Sequence, residues 1–272
     1  MTLQVQGVIL DWAGTTVDYG CIAPTQAFTR LFEKFGAPIT LDEARGPMGM
    51  AKRDHIALVL NSPRVSALWK SVHGRPPSDE DVSAMYADFI PAQTVALLER
   101  AEPIPGVLDA IAAFRAMGLK IGSNTGYTLS MMEMLIPEAA KRGYSPDVVV
   151  VPESVGAGRP APFMAFEIAR RLGIYPMWTF VKVGDTPVDI EEAKTAGMWA
   201  VSLTRTGNEI GLSEAEFNAL PVAQQTARLA AAADKFTWLG ADYVVESLAD
   251  VPPLISVINK RLAQGEMPSA FR

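Results

Sequence analysis

The acidic residues of two short segments offer the clearest chemistry in this chain. GVILDWAGTTVD at 7–18 places Asp11 after an apolar run and before a glycine-containing loop, and VGDTPVD at 183–189 places Asp185 and Asp189 four residues apart. A carboxylate at a strand end can attack a phosphoryl group, and hard oxygen ligands suit Mg²⁺. These residues predict a nucleophile beside a magnesium site. For Asp189 the sequence leaves a second reading open, a first-turn acid that the helix dipole favours.

Position 13 holds an alanine, and this is the most informative residue of the chain. Phosphatases built on this pattern carry an aspartic acid two residues after the nucleophile, and that acid protonates the departing alkoxide. Alanine cannot donate a proton. Either the protein is catalytically inactive, or its leaving group needs no proton from this position.

Two further segments could bind a phosphoryl group. GSNTGYT at 122–128 follows an apolar run and opens a helical pattern, so its hydroxyls and free amides could hold an anion at the positive helix end, with Thr125 and Gly126 as the contacts. Arg159 lies in the loop GAGRPAP, and its forked guanidinium would neutralise phosphoryl oxygens. The alternatives are ordinary turn residues and a solvated loop arginine.

Alternating apolar and helical segments predict the elements that position these residues. Short apolar runs, typical of strands in a buried parallel sheet, occur at 8–11, 119–124, 147–152, 180–185 and 199–204. Helical patterns that end in glycine occur at 107–118, 162–173 and 187–197. The alternation predicts an α/β fold with an open, Rossmann-like parallel sheet, whose ligands bind beyond the carboxyl ends of the strands.

About a hundred residues without a convincing strand separate the first strand from the second. Helical periodicity covers 24–36, 51–61, 64–72 and 79–100. This pattern predicts an inserted helical cap over the catalytic edge of the sheet. We expect a catalytic core made of residues 1–20 and 101–272 and a cap domain at residues 21–100.

Composition limits the classes of function. The chain has 272 residues, 49% of them hydrophobic, and a formal charge of -6, which argues against binding of nucleic acid through a basic surface. No apolar stretch is long enough to span a membrane and the N-terminus lacks a signal pattern, so we expect a cytoplasmic protein. Cys21 is the only cysteine, which excludes a disulfide framework and a cysteine zinc cluster.

Five strings of residues together resemble one known family. DWAGTT, GPMGMAKRDH, GSNTGYT, GRPAP and VGDTPVDI occur in the order and spacing of the phosphonoacetaldehyde hydrolases, a family of the haloacid dehalogenase superfamily, and the match covers nearly the whole chain. The resemblance implies a Rossmann-like core, a helical cap, Mg²⁺ as cofactor and a homodimer formed through the cap. It also implies hydrolysis of a small phosphonate, phosphonoacetaldehyde, to acetaldehyde and phosphate.

The resemblance also implies roles for individual residues. Asp185 would be a direct metal ligand together with Asp11 and the backbone carbonyl of Ala13, and Asp189 would be a supporting group behind them. Arg159 stands where many members of the superfamily place lysine.

Lys52 in the cap explains the alanine at position 13. Cleavage of a carbon–phosphorus bond releases a carbanion, and a lysine that condenses with the neighbouring aldehyde gives an iminium that accepts the electron pair, so no acid is needed. The amine must be neutral to attack, and a shift of its pKa from about 10.4 to about 7 corresponds to roughly 4 to 5 kcal/mol. Burial under the cap could supply that difference. Because most lysines are solvated charges, the assignment depends on the resemblance and on the preceding loop, GPMGM.

Other residues near these motifs keep alternative readings. His55 shares a helical face with Lys52 and is expected either to move protons or to be a structural hydrogen-bonding group. Met48 is expected either to pack against the lysine or to fill space. For Cys21 and Tyr127 we expect packing and a satisfied phenol.

Two other functions fit parts of the pattern. A phosphate-ester phosphatase or sugar phosphomutase would use the same scaffold, but without an acid at position 13 it would lose help usually worth about a hundredfold to ten-thousandfold. A non-enzymatic module that binds magnesium and phosphate is the other alternative, although decay alone does not predict that Asp11, Asp185, Arg159 and Lys52 all remain.

Overall fold

A six-stranded parallel sheet forms the centre of the molecule. The computed structural model describes residues 4–269. The strands are β1 (Gly7–Leu10), β2 (Lys120–Asn124), β3 (Val148–Val150), β4 (Phe180–Gly184), β5 (Trp199–Leu203) and β6 (Tyr243–Val245), in the spatial order β3-β2-β1-β4-β5-β6. This order is the Rossmann order, and the predicted fold class is confirmed.

Strand register brings the predicted motifs to one edge. Leu10 at the end of β1 is aligned with Ser123 of β2 and with Val183 of β4. The residues that follow each strand therefore lie side by side, at the point where the strand order reverses on either side of β1.

Outside the predicted cap at residues 21–100, the described residues form seven α-helices. They are α6 (Val107–Ala116), α7 (Leu129–Lys141), α8 (Phe163–Leu172), α9 (Pro187–Ala196), α10 (Glu214–Ala219), α11 (Val222–Leu239) and α12 (Val251–Ala263). Alternate residues of β1 pack into two apolar clusters: Val8 and Leu10 face the cluster of α6 and α12, and Ile9 faces that of α8 and α9. Both faces of the sheet are therefore buried, as the apolar strands require.

Five helices lie between β1 and β2: α1 (Ile22–Lys34), α2 (Leu41–Arg45), α3 (Lys52–Leu60), α4 (Pro63–His73) and α5 (Asp79–Glu99). The four predicted helical segments correspond to α1, α3, α4 and α5. Buried residues of α1, α3 and α5 join the apolar cluster on one face of the sheet. The division into a core at 1–20 and 101–272 and a cap at 21–100 stays a prediction.

The structure adds elements that the patterns above did not predict, among them α10 and α12 near the C-terminus, the short helix α2 and the strand β6. The short helix α2 begins after Thr40, whose side chain accepts a hydrogen bond from Glu43 N while the Glu43 carboxylate accepts one from Thr40 N. β6 is a three-residue strand at the edge of the sheet, too short for a period to be recognised. Within residues 4–269, no helix has both the length and the apolar character needed to cross a bilayer.

Candidate active site

Three carboxylates meet at the carboxyl ends of β1 and β4. Asp11, Asp185 and Asp189 are all buried, and one oxygen of each lies within 4.8 Å of the others. Such a group of hard oxygen donors could hold a metal ion. Asp11 directly follows β1, Asp185 directly follows β4, and Asp189 lies in the first turn of α9.

The hydrogen-bond donors to Asp185 are all neutral, and no lysine or arginine within residues 4–269 forms a salt bridge with it. Asp185 accepts hydrogen bonds from Thr15 Oγ1 (3.1 Å), Cys21 Sγ (3.2 Å) and Asn208 N (2.8 Å). Burial, together with the charges of Asp11 and Asp189, raises its pKa well above the ordinary range. A bound cation would favour the ionised carboxylate, so this residue fits a metal ligand.

Asp189 differs, because protein donors already occupy both of its oxygens. Oδ1 interacts with Arg159 Nη1 and with Lys182 Nζ (2.9 Å), and Oδ2 accepts from Thr186 N (3.2 Å) and Thr186 Oγ1 (2.5 Å). Burial opposes ionisation, but the charges of Arg159 and Lys182 outweigh it and lower the pKa of Asp189 to about 2. With its acceptor positions filled, Asp189 suits a supporting role better than direct ligation.

Arg159 joins the nucleophile candidate to Asp189. Its guanidinium is buried and donates from Nη2 to Asp11 Oδ1 (2.9 Å) and from Nη1 to Asp189. Burial raises the pKa of Asp11, while the Arg159 charge lowers it. Arg159 is therefore not the solvated loop residue of the alternative reading.

A small cavity beside Asp11 brings most of the predicted residues together. Its volume is about 20 Å³, room for roughly one water molecule. Its lining consists of Asp11, Ala13, Cys21, Pro24, Met48, Gly49, Lys52, Thr125, Gly126, Tyr127, Arg159 and Thr186. Seven residues predicted from the sequence, from both the inserted helices and the sheet, thus share one enclosure, and their individual roles stay predictions.

Lys52 is the first residue of α3 and is buried. Its Nζ lies 4.8 Å from the ring centroid of Tyr127 and 5.6 Å from that of Phe28. Burial lowers its pKa to about 8, although the Asp11 charge acts in the opposite direction. The direction of this shift is the one expected for an attacking amine, although the ammonium still predominates at pH 7. The role of Lys52 in the reaction stays a prediction.

His55 does not line the cavity. Its ring stacks on Phe28 with centroids 3.7 Å apart, and Phe28 in turn stacks on Phe89 at 4.4 Å. Burial and the Lys52 charge hold the pKa of His55 well below its ordinary value. The backbone of Ala44 interacts with the ring, but within residues 4–269 neither ring nitrogen has a well-formed hydrogen bond. A role in proton movement stays a prediction.

The expectations for Cys21 and Tyr127 need correction. Both line the cavity, and Cys21 donates to Asp185, so packing alone does not describe them. The phenol of Tyr127 is not satisfied, because its oxygen has no hydrogen-bond partner in the described part of the chain. The adjacency of both residues to the motifs was the available signal, but only the folded arrangement shows that they face the site.

Comparisons with known proteins show which sequences and structures this chain is similar to. The model of the haloacid dehalogenase-like hydrolases matches residues 5–197. The phosphonoacetaldehyde hydrolase of Syntrophobacter fumaroxidans is 47% identical over 98% of this chain and 96% of its own length. That of Nitratidesulfovibrio vulgaris is also 47% identical, over 97% of this chain and 94% of its own length.

Among solved structures, a phosphonoacetaldehyde hydrolase-like protein from Oleispira antarctica matches with a TM-score of 0.96 at 39% identity. The match covers 98% of this chain and 97% of that one. Sequence and structure thus agree over almost the full length. The chain belongs to the phosphonoacetaldehyde hydrolase family of haloacid dehalogenase-like hydrolases.

Proposed function

We propose that this protein hydrolyses the carbon–phosphorus bond of phosphonoacetaldehyde to acetaldehyde and phosphate. The observation that carries the proposal is the enclosure of a buried amine, Lys52, with a buried carboxylate, Asp11, in one cavity where position 13 offers only a methyl group. An amine and a nucleophile together serve a substrate that carries an aldehyde next to a phosphoryl group. The names of the relatives support the same substrate.

The amine acts first in the proposed reaction. Neutral Lys52 adds to the aldehyde carbon, and the carbinolamine takes up a proton and loses water, which leaves an iminium that joins the substrate to Nζ. The iminium accepts the electron pair of the bond that breaks, so no acid is needed at position 13. The faces of Tyr127 and Phe28 are suited to a cation at Nζ, since aromatic rings attract positive charge.

Asp11 then attacks phosphorus. The carbon–phosphorus bond breaks, its electron pair moves into the iminium to give an enamine, and the phosphoryl group is transferred to the Asp11 oxygen. Protonation of the enamine carbon and addition of water release acetaldehyde and restore Lys52. A second water hydrolyses the aspartyl phosphate to phosphate. Arg159, already bonded to Asp11, and the amides around Thr125 and Gly126 bind the phosphoryl oxygens.

Asp11 and Asp185 would hold Mg²⁺, with the backbone carbonyl of Ala13 as a further ligand. The fit is supported by the carboxylate of Asp185, which forms no salt bridge within residues 4–269 and whose pKa is raised by its burial. Bound Mg²⁺ supplies positive charge for the phosphoryl oxygens.

Trapping of the covalent adduct tests the proposal. Incubation with phosphonoacetaldehyde and borohydride should give a reduced adduct on Lys52, identified by peptide mass spectrometry, and Lys52→Arg should abolish both adduct and phosphate release because guanidinium stays protonated. Lys70→Arg, at an exposed lysine of α4, is the matched control and should behave like the wild type. An active enzyme without an adduct on Lys52 contradicts the mechanism.

The homodimer through residues 21–100 and the cytoplasmic location are also proposals. The dimer follows from the family resemblance, and the apolar side chains of Leu58, Val72 and Val95 in the inserted helices are each more than half exposed. Light scattering during size-exclusion chromatography should give twice the chain mass, and a monomer would contradict the dimer.

A further inference from the structure

A second cluster of buried charges lies behind the candidate site and has no part in the reaction described above. Lys182 is in the middle of β4, Glu192 is on α9, and Asn124 ends β2. All three are buried, and none of them lines the cavity. We call these three residues the Lys182 triad.

The triad is a closed ring of polar contacts. Lys182 Nζ lies 2.7 Å from Asn124 Oδ1 and 3.3 Å from Glu192 Oε2, and Asn124 Nδ2 donates to Glu192 Oε1 at 2.7 Å. Nζ also lies 2.9 Å from Asp189 Oδ1. The ammonium therefore contacts two carboxylates and one amide oxygen, and all of these groups are buried.

Burial of such a charged cluster carries a desolvation cost, so a contribution to stability alone does not explain it. Its neighbours on this face of the sheet are apolar, among them Ile9 and Phe180. Replacement of a buried ion pair by apolar residues of similar volume is often neutral or stabilising, so the presence of the pair is weak evidence for a role in stability. The direct contact with Asp189 indicates a different role.

We propose that Lys182 and Glu192 are positioning residues for the reaction. They hold Asp189 in place, and Asp189 in turn orients the guanidinium of Arg159 toward Asp11. The inference rests on the proposed function. Asp189 Oδ1 is shared by Arg159 Nη1 and Lys182 Nζ, so the same atom ties the arginine to β4. The other nitrogen of the fork, Nη2, is the one that contacts Asp11.

Charge balance supports the same assignment. The positive charges of Lys182 and Arg159 match the negative charges of Glu192 and Asp189. Asp11 and Asp185 then remain as two negative charges, the number that a divalent cation neutralises. Loss of the triad would remove the contact between Asp189 and β4 and would disturb the orientation of Arg159. Lys52 itself would be unchanged.

The double variant Lys182→Met/Glu192→Leu tests the inference, because it removes both charges and leaves neither unpaired. It should fold, and at saturating phosphonoacetaldehyde the borohydride adduct on Lys52 should form as in the wild type, since Arg159 takes no part in the bond between Nζ and the aldehyde carbon. Phosphate release should fall about tenfold to a hundredfold, the usual effect of removing a group that orients a ligand or catalytic side chain. Thermal unfolding, adduct yield and phosphate release are the three measurements.

Glu191→Leu/Lys194→Met is the matched control. It changes the same two residue types, a glutamate and a lysine, on the exposed face of α9, the helix that carries Glu192. It should release phosphate at the wild-type rate. Wild-type phosphate release by the folded Lys182→Met/Glu192→Leu variant, or a loss of adduct as large as the loss of phosphate release, overturns the inference. If that variant does not fold, Asn124→Ala, which keeps both charges, is judged by the same two outcomes. Absence of the adduct in the wild type would instead refute the proposed function.

Discussion

At the scale of single residues, the proposed role of Lys52 makes activity depend on the protonation state of its amine. The pKa of Lys52 is lowered to about 8 by burial, so a rise in pH converts the ammonium to the attacking amine. The neutral fraction is about a tenth at pH 7 and about nine tenths at pH 9. We therefore expect kcat/KM to increase over this range with a midpoint near 8. A profile that is flat or falls between these values would show that the amine does not limit the reaction.

The alanine at position 13 leads to a second prediction at the scale of single residues. Its side chain lines the cavity next to Asp11, where an aspartic acid could reach a leaving oxygen. Ala13→Asp should add activity toward phosphate monoesters, because a general acid assists alkoxide departure by about a hundredfold to ten-thousandfold. Hydrolysis of p-nitrophenyl phosphate measures the gain, with Ala13→Asn as the control that cannot donate a proton from a carboxyl group. Equal rates for the two variants would contradict a general-acid role at this position.

At the scale of elements, the loop between α2 and α3 fits against the loop after β2. Gly126 has no Cβ, and a Cβ built there would lie 2.2 Å from the Met50 carbonyl oxygen and 2.8 Å from that of Gly49. The backbone of residues 46–51 can approach the site this closely only because position 126 is glycine. The same loop places Met48 and Lys52 at the cavity.

Gly126→Ala should therefore hold this loop away from the site. Turnover should fall by about a hundredfold, since a displacement near 1 Å can cost that much, while the melting temperature changes little because the loop can move aside. Steady-state kinetics and thermal unfolding measure the two effects. Gly46→Ala is the matched control, because its nearest neighbour would be Asp42 O at 3.5 Å, an ordinary contact. Equal losses in the two variants would refute the close approach as the cause.

The sequence predicts the secondary-structure elements better than it predicts which distant residues come into contact. Strands such as FVKVG carry a local signal, so β1 to β5 could be placed from the pattern, whereas β6 has three residues and no readable period. Lys52 was found through its family motif, but Lys182 was not, although it interrupts an apolar strand. Its partners Asn124 and Glu192 are 58 and 10 residues away in the chain, and only the folded sheet brings them together.

At the scale of the whole molecule, the cavity is too small for its substrate. About 20 Å³ holds roughly one water, so the residues around this cavity must move apart before phosphonoacetaldehyde can enter. A larger cavity of about 240 Å³ shares Lys52, Gly126 and Tyr127 with it. Lys52 is buried between the two, and a movement that widens the smaller cavity would expose its amine to water.

Arg45 at the end of α2 links the inserted helices to residues beyond them in the chain. Its guanidinium donates to the carbonyl oxygens of Gly20 (3.1 Å), Asn208 (3.2 Å) and Gly211 (2.8 Å), and so joins the inserted helices to the loop after β5. Arg45→Ala removes these bonds, each worth about 0.5–1.5 kcal/mol, and should increase the population of open molecules. Amide hydrogen exchange in residues 46–51 should become faster.

The same variant should change the pH dependence. More frequent opening hydrates Lys52, and a hydrated ammonium is more stable, so the midpoint of the kcat/KM profile should move from about 8 toward the ordinary lysine value of 10.5. Arg64→Ala is the control, since Arg64 is exposed, pairs with Glu43 and lies away from the sheet loops. An unchanged midpoint in Arg45→Ala, with unchanged exchange in residues 46–51, would mean that Arg45 does not hold the molecule closed and that burial of the amine depends on other contacts.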